Sequence, residues 1–184
     1  MLSATALATA RSSERTEPTI ADVVKLAGVS RNTFYEYFDD LAHARSAAQQ
    51  RAEHRLSVRL RAAEEQTRTP VERWRALSHA WITWVATAPA EALLCLDLVR
   101  AGLSPAGRAL EAACSRSLET QRSSGIRVED PQGTRVMAVA AAGEVMARRF
   151  VANWLGEPPS AARLDGERER MERALAEVAV RLLR

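Results

Sequence analysis

At 184 residues the chain can bury a sizeable core and falls within the range of one domain or two small ones; 47% hydrophobic and 27% charged residues exclude a disordered or fibrous protein. No apolar run approaches the roughly 20 residues that cross a bilayer, so no membrane partner is expected. The net charge of +3 suits a nucleic-acid binder only superficially, because the excess of arginine lies outside the first 50 residues.

In chain order, the opening MLSATALATARS contains an Ala-Thr-Ala that imitates a cleavage site. It lacks a basic n-region and a continuous apolar core, so no signal peptide is expected and the location reads as cytoplasmic. Leu2 to Arg15 is compatible with a first helix through Leu2, Ala6, Leu7 and Ala10, although its Ser and Thr content gives it poor propensity. Thr19 to Phe38, TIADVVKLAGVSRNTFYEYF, then reads as helix, turn and second helix. Ile20, Val23, Val24 and Ala27 recur at helical spacing, Gly28 suits a left-handed helix end, and Ser30 is placed to cap the second helix. Phe34 and Phe38, four apart, turn inward, which leaves Asn32, Thr33 and Glu36 outward with Arg31, Tyr35 and Tyr37 beside them. A helix displayed this way fits a DNA major groove.

Thr19-Ile20, Ala27-Gly28-Val29-Ser30 and Thr33-Phe34-Tyr35-x-Tyr37-Phe38 together resemble the DNA-binding domain of the TetR family of bacterial transcriptional regulators. The resemblance is close over the first quarter of the chain and is an all-helical outline beyond it. It implies an all-α fold, with a helix-turn-helix three-helix head over residues 1–45 and a helical effector-binding and dimerisation domain over 46–184. Thr33, Tyr35 and Tyr37 match family positions that hydrogen-bond phosphates. By their chemistry Arg31 and Asn32 are candidates for reading guanine and adenine edges, and Thr19 for a phosphate contact at a helix start. Lys25 reaches the DNA backbone or is a solvated surface charge; Glu36 reads a cytosine amino group or points along the groove. Three departures stand out. The first helix lacks the usual basic arm, which leaves a translation start upstream of Met1 or a weak helix as readings. Leu41 replaces the lysine of the family's Phe-x-x-Lys. Through Gln50, Arg11, Arg15, Lys25, Arg31 and Arg45 face six acids, Glu14, Glu17, Asp22, Glu36, Asp39 and Asp40, so phosphate binding rests on a few placed donors. Arg51, Arg55 and Arg59 add to these if the near end of the next helix faces the duplex.

Asp39-Asp40 caps that helix, predicted from about Leu41 to Gln66 with Leu56 and Leu60 one turn apart. Pro70, Pro89, Pro105, Pro131 and Pro158-Pro159 fall at predicted helix starts or in loops. Val71 to Ala88 puts Trp74, Leu77, Ser78, Trp81, Trp84, Val85 and Ala88 on one face, which is either ordinary core or in part the wall of a ligand cavity. In the helix Ala90 to Arg100, Asp97 interrupts LLCLDLV, and a buried carboxylate there needs a partner or a proton. Pro105 to Ser124 is scaffold, with Leu110, Cys114 and Leu118 in one stripe. Gln132 to Leu155 carries Met137 and Glu144, the latter either paired with Arg148 one turn on or orienting a basic or hydroxylated effector. The effector candidates are therefore Trp81, Trp84, Asp97, Met137 and Glu144. Ala138, Ala141, Ala142 and Gly143 permit close helix approach, and Leu164, Met171, Leu175, Val178 and Leu182 form a near-heptad stripe. In the resembling family the last two helices build a four-helix dimer interface, so a homodimer is expected.

Cys95 and Cys114 read as small buried hydrophobes, and His43, His54 and His79 lack partners at ligand spacing, so neither a disulfide nor a metal is expected. No Gly-rich phosphate loop, nucleophile elbow or acid pair suggests an enzyme or a cofactor. The expectation is a homodimeric repressor released from an inverted-repeat operator by a small apolar effector. The alternatives are an activator of the same architecture, and a helical small-molecule-binding or protein-interaction module whose head no longer binds DNA.

Overall fold

The structure, a computed structural model, describes residues 1–11, 17–96, 103–126, 130, 132–156 and 160–183. Among them the regular structure is helical: α1 (Leu2–Arg11), α2 (Ile20–Ala27), α3 (Arg31–Tyr35), α4 (Leu41–Glu65), α5 (Pro70–Thr87), α6 (Pro89–Cys95), α7 (Pro105–Ser123), α8 (Thr134–Gly156) and α9 (Ala161–Leu182). Most boundaries are local chemistry. Thr19 and Asp22 form a reciprocal capping box at α2, and Thr69 and Glu72 form another at α5, where Pro70 opens the helix. Asp40 accepts from the His43 N–H at the start of α4, and Ser104 accepts from the Gly107 N–H at α7. Gly28, at φ 67°, takes the left-handed conformation that ends α2.

The body is organised around α5, which packs against α4, α6, α7, α8 and α9. Trp74, Leu77, Trp81, Ile82 and Val85 of α5 meet Leu56 and Leu60 of α4, Leu110 of α7, Phe150 of α8 and Leu175 of α9 in one buried cluster. Close approach of α8 to α7 and α5 depends on Gly143. The Trp81 indole N–H donates to the Gly143 carbonyl at 3.3 Å, and a Cβ at position 143 would fall 2.7 Å from Leu110 Cδ2. The small head core comprises Ala8, Val23, Phe34 and Ala44, and a further cluster of Ala6, Ala48 and Leu94 ties α1 and α4 to α6. The sequence-based boundary after residue 45 thus falls inside α4, which runs unbroken from head to body.

Three elements differ from their sequence reading. α1 buries Thr5, Ala6, Ala8 and Ala10, while Leu7 is only half-buried, because α4 and α6 cover the helix from two sides. The second helix of the motif stops at Tyr35; the Tyr37 N–H reaches back three residues to the Phe34 carbonyl, so Glu36 and Tyr37 form a turn. α6 ends at Cys95, and Asp97, Arg100, Pro131, Pro158 and Pro159 lie outside the described residues, as do residues 12–16.

Candidate nucleic-acid interface

α3 is only five residues long, too short to be stable alone, so its orientation depends on the head core. Phe34 is fully buried, with its ring 5.4 Å from Phe38 and 5.6 Å edge-on from Tyr35. Ser30 caps the helix by accepting the Thr33 N–H at 3.0 Å, and the Ser30 and Thr33 hydroxyls lie 2.9 Å apart. With Phe34 fixed, Arg31, Asn32, Glu36, Tyr35 (54% exposed) and Tyr37 (65% exposed) face solvent, while Thr33 is half-buried. Of the seven residues read from the sequence as DNA contacts, Arg31, Asn32, Tyr35, Tyr37 and, in the last turn of α2, Lys25 are exposed, and Thr33 is half-buried.

Thr19 is placed differently. Its hydroxyl donates to Asp22 Oδ2 at 2.7 Å, and its own N–H donates to the same oxygen at 2.9 Å. Those hydrogen bonds, the hydroxyl first, hold the Asp22 carboxyl below its usual range. Two donors that a phosphate would use at this helix start are already turned onto a carboxylate. Asp39 and Asp40 bring further negative charge at the start of α4. Sequence reasoning weighed His43 only as a metal ligand; its Nδ1 lies 3.1 Å from Asp39 Oδ2 and its ring stands edge-on to Phe38 at 5.6 Å. The signal was the Asp-to-His spacing of four residues. Arg55, offered as a supporting cation, instead pairs with Glu91 of α6 at 2.7 Å; Arg51 and Arg59 are exposed.

The effector candidates are distributed. Trp81 is fully buried and Trp84 nearly so, with ring centroids 5.7 Å apart. The Trp84 side borders a surface hollow of about 440 Å³ with His54, Arg55, Val58, Arg59 and Ala62. Glu144 is buried: one carboxylate oxygen accepts the Ser104 N–H at 3.0 Å and the other pairs with Arg148. Gly107 makes room for it, since a Cβ there would overlap Glu144 Oε2. Met137 is 51% exposed, because Val136, Val139, Ala140, Gly143, Ala147 and Phe150 take the inner face of α8 and leave position 137 opposite. The structure brings Trp81, Trp84 and Glu144 into neighbouring layers and leaves Met137 apart; Asp97 is outside the described residues.

Cys95 and Cys114 are free and buried, and burial pushes each thiol up to about 12. Among the described residues no three His, Cys, Asp or Glu side chains are grouped to hold a metal ion, and no helix is long and apolar enough to cross a membrane. The sequence missed Asp130, whose buried carboxylate accepts the Arg135 and Val136 N–H groups at 3.2 and 3.1 Å and so caps α8. It also missed Glu64, which joins α4 to α7 through Arg116 at 2.9 Å and Ser117 at 3.2 Å.

No family model matches the chain, and no curated protein sequence does. Solved structures do. The fatty acid degradation regulator FadR from Bacillus halodurans aligns with a TM-score of 0.71 at 13% identity, covering 95% of each chain. A TetR-family transcriptional regulator from Pectobacterium atrosepticum aligns with a TM-score of 0.66 at 22% identity, covering 98% of this chain and 93% of the other. A TetR-like transcriptional regulator from Rhodococcus aligns with a TM-score of 0.64 at 19% identity over 96% and 91%. The chain therefore has the all-helical fold of these regulators along nearly its whole length.

Proposed function

We propose that this protein is a non-enzymatic, DNA-binding transcriptional regulator of the TetR type, acting in the cytoplasm as a homodimeric repressor that a small effector releases from its operator. The observation that carries the reading is the exposed strip Arg31, Asn32, Tyr35 and Tyr37, displayed by a helix that the buried Phe34 pins to the head. Arg31 and Asn32 would read base edges; Thr33, Tyr35 and Tyr37, with Lys25, would hold phosphates. Thr19 would act through the free N–H groups of the first α2 turn, its own hydroxyl being engaged.

Dimerisation through α8 and α9 is supported by apolar side chains left outside the monomer core: Met137, Ala138, Val145 and Ala152 on α8 and Ala174 on α9 are exposed. Two-fold symmetry would place the recognition helices about 34–36 Å apart on inverted half-sites. Effector binding in the body, near Trp81, Trp84 and Glu144, would act through α4 on that spacing. Reversing occupancy from 1:99 to 99:1 takes a roughly 10⁴-fold preference for one state.

Fluorescence anisotropy on duplexes from the DNA upstream of the chain's own coding region tests the reading. Arg31→Ala is expected to cost about 1–3 kcal/mol and relax preference at one base position, whereas Tyr35→Phe weakens every sequence alike. Equal loss on all sequences for Arg31→Ala refutes its base-reading role. The carboxylates at the starts of α2 and α4 favour a second reading, a helical binding module whose head no longer engages DNA. Absence of salt-sensitive DNA binding even at low ionic strength would establish that alternative.

A further inference from the structure

A cleft of about 690 Å³ lies where the head meets the body, and its wall is drawn from four helices. α1 contributes Thr9, α4 contributes Arg45, Gln49 and Glu53, α6 contributes Leu93 and Leu94, and α7 contributes Arg108. The volume falls in the range of small-molecule sites.

The charge of this wall is unusual for the molecule. Among the described residues five arginines are half-buried: Arg45, Arg73, Arg116, Arg148 and Arg168. Four of them have partners, Arg73 in Thr67, Arg116 in Glu64, Arg148 in Glu144, and Arg168 in Asp165 and Glu172. Arg45 has no hydrogen-bond or ion-pair partner among the described residues, although partial burial makes an uncompensated charge costly. Arg108, also in the wall, spends one N–H on the Leu103 carbonyl at 2.9 Å and has no carboxylate partner among the described residues. The nearby acid, Glu53, is engaged by the Gln49 amide at 2.7 Å. Among the described residues the wall thus carries two arginines against one glutamate, with the apolar Leu93 and Leu94.

We infer that this junction cleft is a binding site for a small organic anion, a carboxylate or phosphate ester with a short apolar part. Arg45 and Arg108 clamp its charged end, guanidinium groups being suited to planar, two-point recognition of both anions. Leu93 and Leu94 receive the apolar end. A molecule held there touches helices of the head and of the body together. Binding itself does not depend on the regulator reading; an effect on DNA affinity does.

Isothermal titration of the full chain without DNA provides the test, with benzoate, octanoate, phenyl phosphate and inorganic phosphate as probes and benzamide as the neutral counterpart. The expected result is saturable binding of at least one organic anion and none of benzamide. Arg45→Gln and Arg108→Gln should each weaken that binding tenfold or more, while Arg75→Gln on the far side of α5 leaves it unchanged. Carboxylate against phosphate probes identifies the preferred head group, and preference for inorganic phosphate over every organic probe would refute the apolar subsite. Circular dichroism confirms that each variant is folded; if one is not, the other decides. No saturable binding at millimolar probe, equal binding of benzamide, or full affinity in the folded arginine variants overturns the inference. Failure of DNA binding alone leaves these titrations unaffected, so the two proposals fail separately.

Discussion

Replacing Glu144 by glutamine isolates the ionic part of a buried clamp while keeping its shape. The Glu144 side chain is 6% exposed and Arg148 31%, and the carboxylate also accepts the Ser104 N–H at 3.0 Å. Glutamine retains an acceptor for Ser104 but turns a weak or repulsive amide toward Arg148. Breaking a fully buried pair costs about 3–5 kcal/mol, and solvent reaching Arg148 lowers that to about 2–3 kcal/mol here. For a chain of this size that corresponds to a fall of about 4–12 °C in Tm. Glu144→Ala should be worse than Glu144→Gln, because the Ser104 N–H then also loses its partner, at about 1–3 kcal/mol more. Urea unfolding of Glu144→Gln, Arg148→Met and the double variant completes a double-mutant cycle, with Glu144→Ala measured alongside. A Glu144→Gln stability within about 0.5 kcal/mol of the parent, inside the range of ordinary surface substitutions, would refute the clamp and return the carboxylate to the list of free ligand groups.

Gly28→Ala should destabilise the head by about 1–2 kcal/mol through backbone strain alone, since φ is +67° and no atom lies within 4 Å of the added Cβ; an unchanged denaturation midpoint and unchanged DNA affinity would contradict this. Cys95 and Cys114, raised to about 12 by burial, should resist a thiol reagent at neutral pH until denaturant is added, and rapid labelling of the native protein would show that one of them is accessible. Asp22 and Glu72 are both held below their ordinary values of 3.8 and 4.5, chiefly by the Thr19 hydroxyl and the Thr69 N–H respectively. Each cap is therefore fully stabilising above those ordinary values and is lost as pH falls through the lowered one. Acid titration by circular dichroism should find Asp22→Asn and Glu72→Gln less acid-sensitive than the parent; identical titration curves would argue against these caps.

What the sequence revealed and what it concealed follow from the range of the interactions involved. Capping and helix periodicity are local, so Thr19, Gly28, Ser30, Asp40 and Pro70 mark helix ends within a residue or two, and Phe34 identifies the inner face of α3. The same locality made the Glu144 to Arg148 pair readable as one of two options. Pairings such as Arg55 with Glu91 or Arg116 with Glu64 join residues 36 and 52 positions apart and leave no periodic trace. Met137 shows how an apolar residue misleads: only the packing of Val136 and Val139 reveals which side of α8 faces inward. Thr19 illustrates a competition in which the capping carboxylate takes the donors that a distant phosphate would need. The junction cleft was invisible because Arg45 and Arg108 are far apart in the chain and unremarkable in an arginine-rich sequence.

The alanine-lined seam between α1 and α4 carries a mechanical consequence. At the head end α4 buries Ala44 and Ala48, and α1 offers Ala6 and Ala8; further along α4, Ala52, Leu56 and Leu60 pack into the body core. Methyl groups mesh in shallow relief, whereas leucines lock into deep recesses. Sliding along the smooth end therefore meets less resistance than at the toothed end. Torque applied in the body should be delivered to the head as displacement instead of being absorbed midway, and enlarging Ala48 to leucine should jam that bearing.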